Sequence, residues 1–153
     1  MTRDELYAQW SPYRHLIKPA LVEQRTDLPR RILGEEVNVL LPSIVLGTDG
    51  PAVSSLWLGS ASVLIEIRLE TDRESFDYVS LKSIVNLRFD LWEEEVTAAD
   101  GRIVKYEIAK VDLRHLSSGV FKSELNYAGY DRNSWLDRVG SLLPGVTVSG
   151  PFP

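Results

Sequence analysis

The end of the chain places one amphipathic helix after a final strand, and that order limits what can precede it. Phe121 to Tyr127 reads as a last strand and Tyr130 to Leu143 as a helix. In the helix Trp135, Leu136, Val139, Leu142 and Leu143 fall at i, i+1, i+4, i+7 and i+8, one apolar stripe, while Asp137, Arg138 and Ser141 face away. Asp131 is placed to cap its start, and Pro144-Gly145 to stop it. A single helix with one apolar face closes a layer of strands; it does not build a helical bundle.

The strands it would close are legible from Gly34 onward. Val37, Val39 and Leu41 alternate with Asn38 and Leu40, Pro42 shifts the register, and Ile44 to Leu46 runs to a turn at residues 47–51. Leu56-Trp57-Leu58 reads as a short strand. Val63, Ile65, Ile67 and Leu69 alternate with a set containing Glu66 and Arg68, which predicts one wet face. Phe76 and Tyr78 begin another strand that reaches a corner at Lys82-Ser83.

Val85, Leu87, Phe89 and Leu91 alternate with Asn86, Arg88 and Asp90, and the adjacent Leu91 and Trp92 suggest a bulge. Asp100-Gly101 marks a hairpin turn. A three-residue loop, Ala99 to Gly101, would set Val96 opposite Val104, Trp92 opposite Ile108, and Glu95 against Lys105 as a cross-strand charge pair. The return strand runs to about Leu113. Six to seven antiparallel strands in so short a chain must curl or split into two packed layers, so the expected fold is mainly β (α+β): a curled sheet or small barrel, an N-terminal helical segment and a C-terminal capping helix.

Ahead of the strands, Leu6, Trp10, Tyr13, Leu16, Ile17, Leu21 and Val22 recur at helical spacing with interruptions at Pro12 and Pro19, which predicts two or three short helical pieces. Arg25, Arg30 and Arg31 surround Leu28-Pro29, read as a connector carrying the densest basic charge. The expected organisation is a helical arm over 1–32 packed on the domain, a β domain with its helix over 33–146, and a tail over 147–153.

Composition closes several branches of chemistry. With no cysteine there is no disulfide and no thiolate nucleophile or metal ligand. A net charge of −5 argues against nucleic acid and anionic membranes as partners. The opening residues carry no apolar leader pattern, so a cytoplasmic location is expected. His15 and His115 stand a hundred residues apart without a ligand pattern, and Glu93-Glu94-Glu95 on a strand can point only two carboxylates one way. No catalytic, cofactor or metal residue is expected. Trp57 and Trp92 read as core candidates. The residues expected to meet a partner are Trp10, Tyr13, Arg30, Arg31, Glu93 and Glu95.

The run of strands ending in a helix with a buried tryptophan resembles the pleckstrin-homology-like superfold, in particular bacterial PH-like and GRAM-like domains, over about residues 33–144. Leu33-Gly34-Glu35-Glu36-Val37 is similar to the lead-in to the first strand of those families, and Leu56-Trp57-Leu58-Gly59 to the strand after their first hairpin. Residues 78–85 resemble the corner before the central hairpin, and Trp135 matches the tryptophan of the closing helix. The resemblance implies a non-enzymatic module that binds another protein through a strand edge or the groove beside the last helix, with a homodimer through such an edge as a variant. Lipid-binding members place Lys and Arg around the first hairpin, whereas Leu46 to Leu58 here holds no basic residue and one aspartate. Two alternatives stand beside it: a bacterial immunity-type protein covering a basic partner, and a small-molecule carrier or small enzyme using the sheet interior with His115 as a polar group.

Overall fold

A computed structural model describes residues 2–33, 36–70, 72–115, 122–143 and 148–149. The chain opens with α1 (Arg3–Trp10), whose start is capped reciprocally: the Thr2 hydroxyl accepts from the Glu5 amide at 3.2 Å, and the Glu5 carboxylate from the Thr2 amide at 2.9 Å. Pro12 converts the exit into a 3-10 turn, Ser11–Tyr13, and α2 (Pro19–Leu33) follows. The expected connector at Leu28-Pro29 is therefore helix. Pro29 cannot donate to the carbonyl four residues back. Yet Val22, Thr26 and Pro29 are all buried, so the inward stripe at i, i+4 and i+7 continues through the proline and carries the helix past it.

Four strands form the first sheet in the order β1 (Val39–Gly47), β2 (Gly50–Gly59), β3 (Val63–Leu69), β4 (Glu74–Ser80), all antiparallel. A 3-10 corner at Leu81–Ser83 leads to the second, where β5 (Ile84–Thr97), β6 (Ile103–His115) and β7 (Lys122–Gly129) meander antiparallel. A two-residue β8 (Val148–Ser149) joins the start of β5 in parallel. Between β7 and β8 lies α3 (Arg132–Leu142), capped by the Asp131 carboxylate accepting from the Ser134 amide. The expected mainly β architecture of six to seven antiparallel strands, an N-terminal helical segment and a closing helix is the one observed, with the short parallel β8 in addition. No helix among the described residues is long and apolar enough to cross a membrane.

Two apolar layers explain the sequence patterns. Between the sheets lie Leu41, Trp57, Leu64, Val111, Leu113 and Leu125, closed at one end by Trp135, Val139 and Leu142 of α3. Outside the first sheet, Leu6, Ile17 and Val22 of the N-terminal helices cover Leu40, Leu56, Leu58, Ile65 and Ile67. The first sheet is thus buried on both faces, which is why Leu56-Trp57-Leu58 and Val63-Leu64-Ile65 are continuous apolar runs. The former is the end of a ten-residue strand, not a short one. The wet face expected on β3 is turned toward the second sheet and is wet only at its end: Leu64 is fully buried, Glu66 is half-buried under a hydrogen bond from Ser55 Oγ at 3.1 Å, and Arg68 is exposed.

The β1–β2 ladder shifts next to Pro42, with Ser54 the extra residue between the pairs Ser43↔Ser55 and Ile44↔Val53. In the second sheet the ladder shifts at Ile84/Asn86, not at Leu91/Trp92, where pairing is regular. Trp92 therefore lies simply on the outer face with Asp90 and is 40% exposed; it does not join the core, whereas Trp57 is fully buried. The hairpin register is the expected one: Val96↔Val104, Trp92↔Ile108 and Glu95↔Lys105. Ala98 N–H donates to the Arg102 carbonyl and Gly101 N–H to the Ala98 carbonyl, closing the three-residue loop, and Gly101 takes φ +84°. The charge pair differs from expectation. Lys105 Nζ reaches Glu93 at 2.8 Å, a diagonal partner on the same face, rather than Glu95 directly opposite.

Candidate partner-binding surface

Where β7 turns into α3, the chain reads Tyr127-Ala128-Gly129-Tyr130-Asp131, and this corner forms one wall of an apolar groove of about 260 Å³. Tyr13 and Leu16 from the N-terminal segment, Ile44 from β1 and Pro51 from β2 supply the other walls. The groove runs beside α3, whose Ser134 borders it.

Its aromatic lining is held rigidly. The Tyr127 hydroxyl accepts from the Asp131 amide at 2.9 Å, and its ring lies 5.6 Å from that of Trp135. Gly129 is required by this fold-back, since a Cβ there would sit 2.5 Å from the Tyr127 hydroxyl. The Tyr13 ring carries the Arg138 guanidinium at 5.6 Å from its centroid. Burial pushes both phenols above their ordinary range, opposed at Tyr13 by Arg138 and at Tyr127 by the amide of Asp131, so both remain neutral hydrogen-bonding groups at physiological pH. Tyr130, 70% exposed, stands at the rim with its ring 5.4 Å from Tyr106.

Arg138 fixes the arm that supplies Tyr13. Its guanidinium donates to the Gln9 carbonyl at 2.9 Å, to Gln9 Oε1 at 2.8 Å and to the Leu40 carbonyl at 2.7 Å. Gln9 in turn bonds both the Asn38 carbonyl and the Leu40 amide at 2.8 Å. One side chain of α3 thereby ties α1 to the start of β1.

A second cavity, also about 260 Å³, opens at the seam where the Asn126 amide donates to Ser43 Oγ. Its lining is polar, and its groups are engaged with one another: Ser55 with Glu66, and Arg68 with Asp77 at 2.7 Å. Burial raises the Glu66 carboxyl above its usual range, against the opposing pull of Ser55 and Arg68. Among the described residues no three His, Asp or Glu side chains converge in an arrangement that could hold a metal ion.

The six residues expected from sequence do not form one site. Tyr13 is buried in the groove wall. Trp10 is half-buried against the outer layer, its indole donating to the Ile17 carbonyl at 2.8 Å. Arg30 is half-buried in the last turn of α2, and Arg31 is exposed and paired with Asp27 at 3.2 Å. Glu93 and Glu95 are exposed on β5. His15 lines the groove from its exposed rim, and the side chain of His115 lies outside the described set. Sequence reasoning missed Tyr127, Tyr130 and Pro51. The available signal was the Ala128-Gly129 pair between two tyrosines, small residues that let aromatic rings fold back on the chain.

No family model, curated protein or solved structure matches this chain.

Proposed function

We propose that the protein is a non-enzymatic protein-binding domain of the PH-like type, which seats an apolar side chain of its partner in the groove beside α3. The groove carries this reading: it is concave, walled by the rings of Tyr13 and Tyr127, and rimmed by the exposed Tyr130, the composition that anchors protein contacts. The order of elements supports the PH-like assignment. Four meandering strands, then three, then one helix inserting a tryptophan between the sheets is the arrangement that the resemblance implies. The space between the sheets is filled by side chains such as Trp57 and Trp135, which favours surface recognition over carriage of a ligand inside. The acidic balance and the absence of Lys or Arg from Leu46 to Leu58 favour a protein partner over phosphoinositides or nucleic acid, met in the cytoplasm.

Capture of the bound protein from the native host would identify the partner, and calorimetry with that purified protein tests the site. Ser134→Trp, which fills the groove from an exposed position, and Tyr130→Ala, which removes its rim, should each weaken binding about tenfold or more with an unchanged melting temperature. Wild-type affinity in both variants would refute the groove as the site.

A further inference from the structure

The β5–β6 hairpin holds a second surface that the groove does not use. From Trp92 to Thr97 every residue of β5 is exposed, so both faces of this part of the hairpin meet solvent, with Arg132 of α3 reaching the Trp92 carbonyl. Among the described residues, β5 is paired on its outer side only with β8, at Leu87 and Arg88.

The ladder fixes which backbone groups face outward. Arg132 Nη1 lies 3.0 Å from the carbonyl oxygens of both Trp92 and Ile108, which only a mutually hydrogen-bonded pair brings so close together. The Ala98 N–H to Arg102 bond at the loop gives the same phase. Trp92, Glu94 and Val96 therefore bond β6, and the amides and carbonyls of Leu91, Glu93 and Glu95 point to the free edge.

The side chains define what can use it. Residues 90–107 carry six carboxylates against two bases, a net −4 of the chain's −5. Glu93 is paired with Lys105, Glu94 accepts from the Trp92 indole at 3.0 Å, and Glu95 has no ion pair among the described residues. On the opposite face from Glu93 and Glu95, Trp92 and Val96 are 40% and 37% exposed. A second copy pairing antiparallel about Glu94 would set Glu93 against Glu95 and Glu94 against itself, so the triplet acts against self-pairing.

We infer that the free edge of β5 accepts an extended segment of a different protein, one that alternates basic and apolar residues. It adds as a strand, its Lys or Arg side chains meeting Glu93 and Glu95 while its apolar side chains cover Trp92 and Val96.

The test uses the whole protein and a blocked peptide of about seven residues alternating lysine and valine. Saturable binding is expected, weakening as salt rises, with hydrogen exchange slowed at the amides of Leu91, Glu93 and Glu95. The double variant Glu93→Gln/Glu95→Gln should bind about fivefold more weakly or worse, and a peptide of the same composition with its lysines in one block should lose at least about fivefold. Ser134→Trp should leave this binding unchanged, which separates it from the groove. Equal affinity for the alternating and blocked peptides, protection at other amides, no binding, or a wild-type dimer paired through β5 would overturn the inference.

Discussion

The indole N–H of Trp135 donates to the Pro42 carbonyl at 2.9 Å, joining the closing helix to β1 at the residue beside its register shift. Both ends of this bond are buried, and the ring is fully enclosed between the sheets. Trp135→Ala should destabilise the fold by about 3–5 kcal/mol in chemical denaturation, the loss expected for a large buried ring. Trp135→Phe keeps much of the packing but strands a buried carbonyl, and should cost about 1–3 kcal/mol. An unchanged midpoint for the alanine variant would contradict the placement of α3.

Arg138 spends its donors on α1 and β1 rather than on an acidic partner, so its removal should act locally before it acts globally. Arg138→Met retains the aliphatic stem but leaves the Gln9 and Leu40 carbonyls without that donor. A cost of about 1–3 kcal/mol is expected. Hydrogen exchange and proteolysis should increase first at residues 9–18, because Arg138 also holds the Tyr13 ring. Uniform loosening of both sheets would show that the arm is not tied through this side chain.

Much of the fold was legible because its strands alternate in sequence wherever one face meets solvent. Val96↔Val104 and the Gly101 turn follow from local chemistry alone. The failures have a common source in tertiary burial. Pro29 reads as a helix breaker until Val22 and Thr26 are seen to share its buried face. Glu66 reads as solvent-facing until the second sheet is placed over it. Trp92 reads as core by its size, although strict alternation already puts it beside Asp90. The groove was least legible, since Tyr13, Pro51 and Tyr127 come from distant segments that only the closed fold brings together.

Gly101 offers a test of turn geometry without a packing contribution. A Cβ at this position would meet no atom within 4 Å, so the cost of Gly101→Ala comes from φ +84° alone. About 1–2 kcal/mol is expected in thermal or denaturant unfolding, with Gly101→Asn losing less because asparagine tolerates that region better. Alanine and asparagine variants as stable as wild type would mean that the loop adopts a different turn.

Glu66 gives the fold a pH dependence of unusual sign for a carboxylate. Burial raises its folded-state pKa above the unfolded value, so the folded protein holds the proton more tightly than the unfolded chain does. Its contribution is most favourable below the unfolded pKa and diminishes as pH rises through the folded one. Replacing it with glutamine, which still accepts from Ser55 Oγ and leaves Arg68 paired with Asp77, should raise the melting temperature at pH 7. The gain should shrink toward zero as pH falls below about 4. A variant less stable than wild type at pH 7, or a gain that persists in acid, would show that the Arg68 and Ser55 interactions outweigh the burial of the charge.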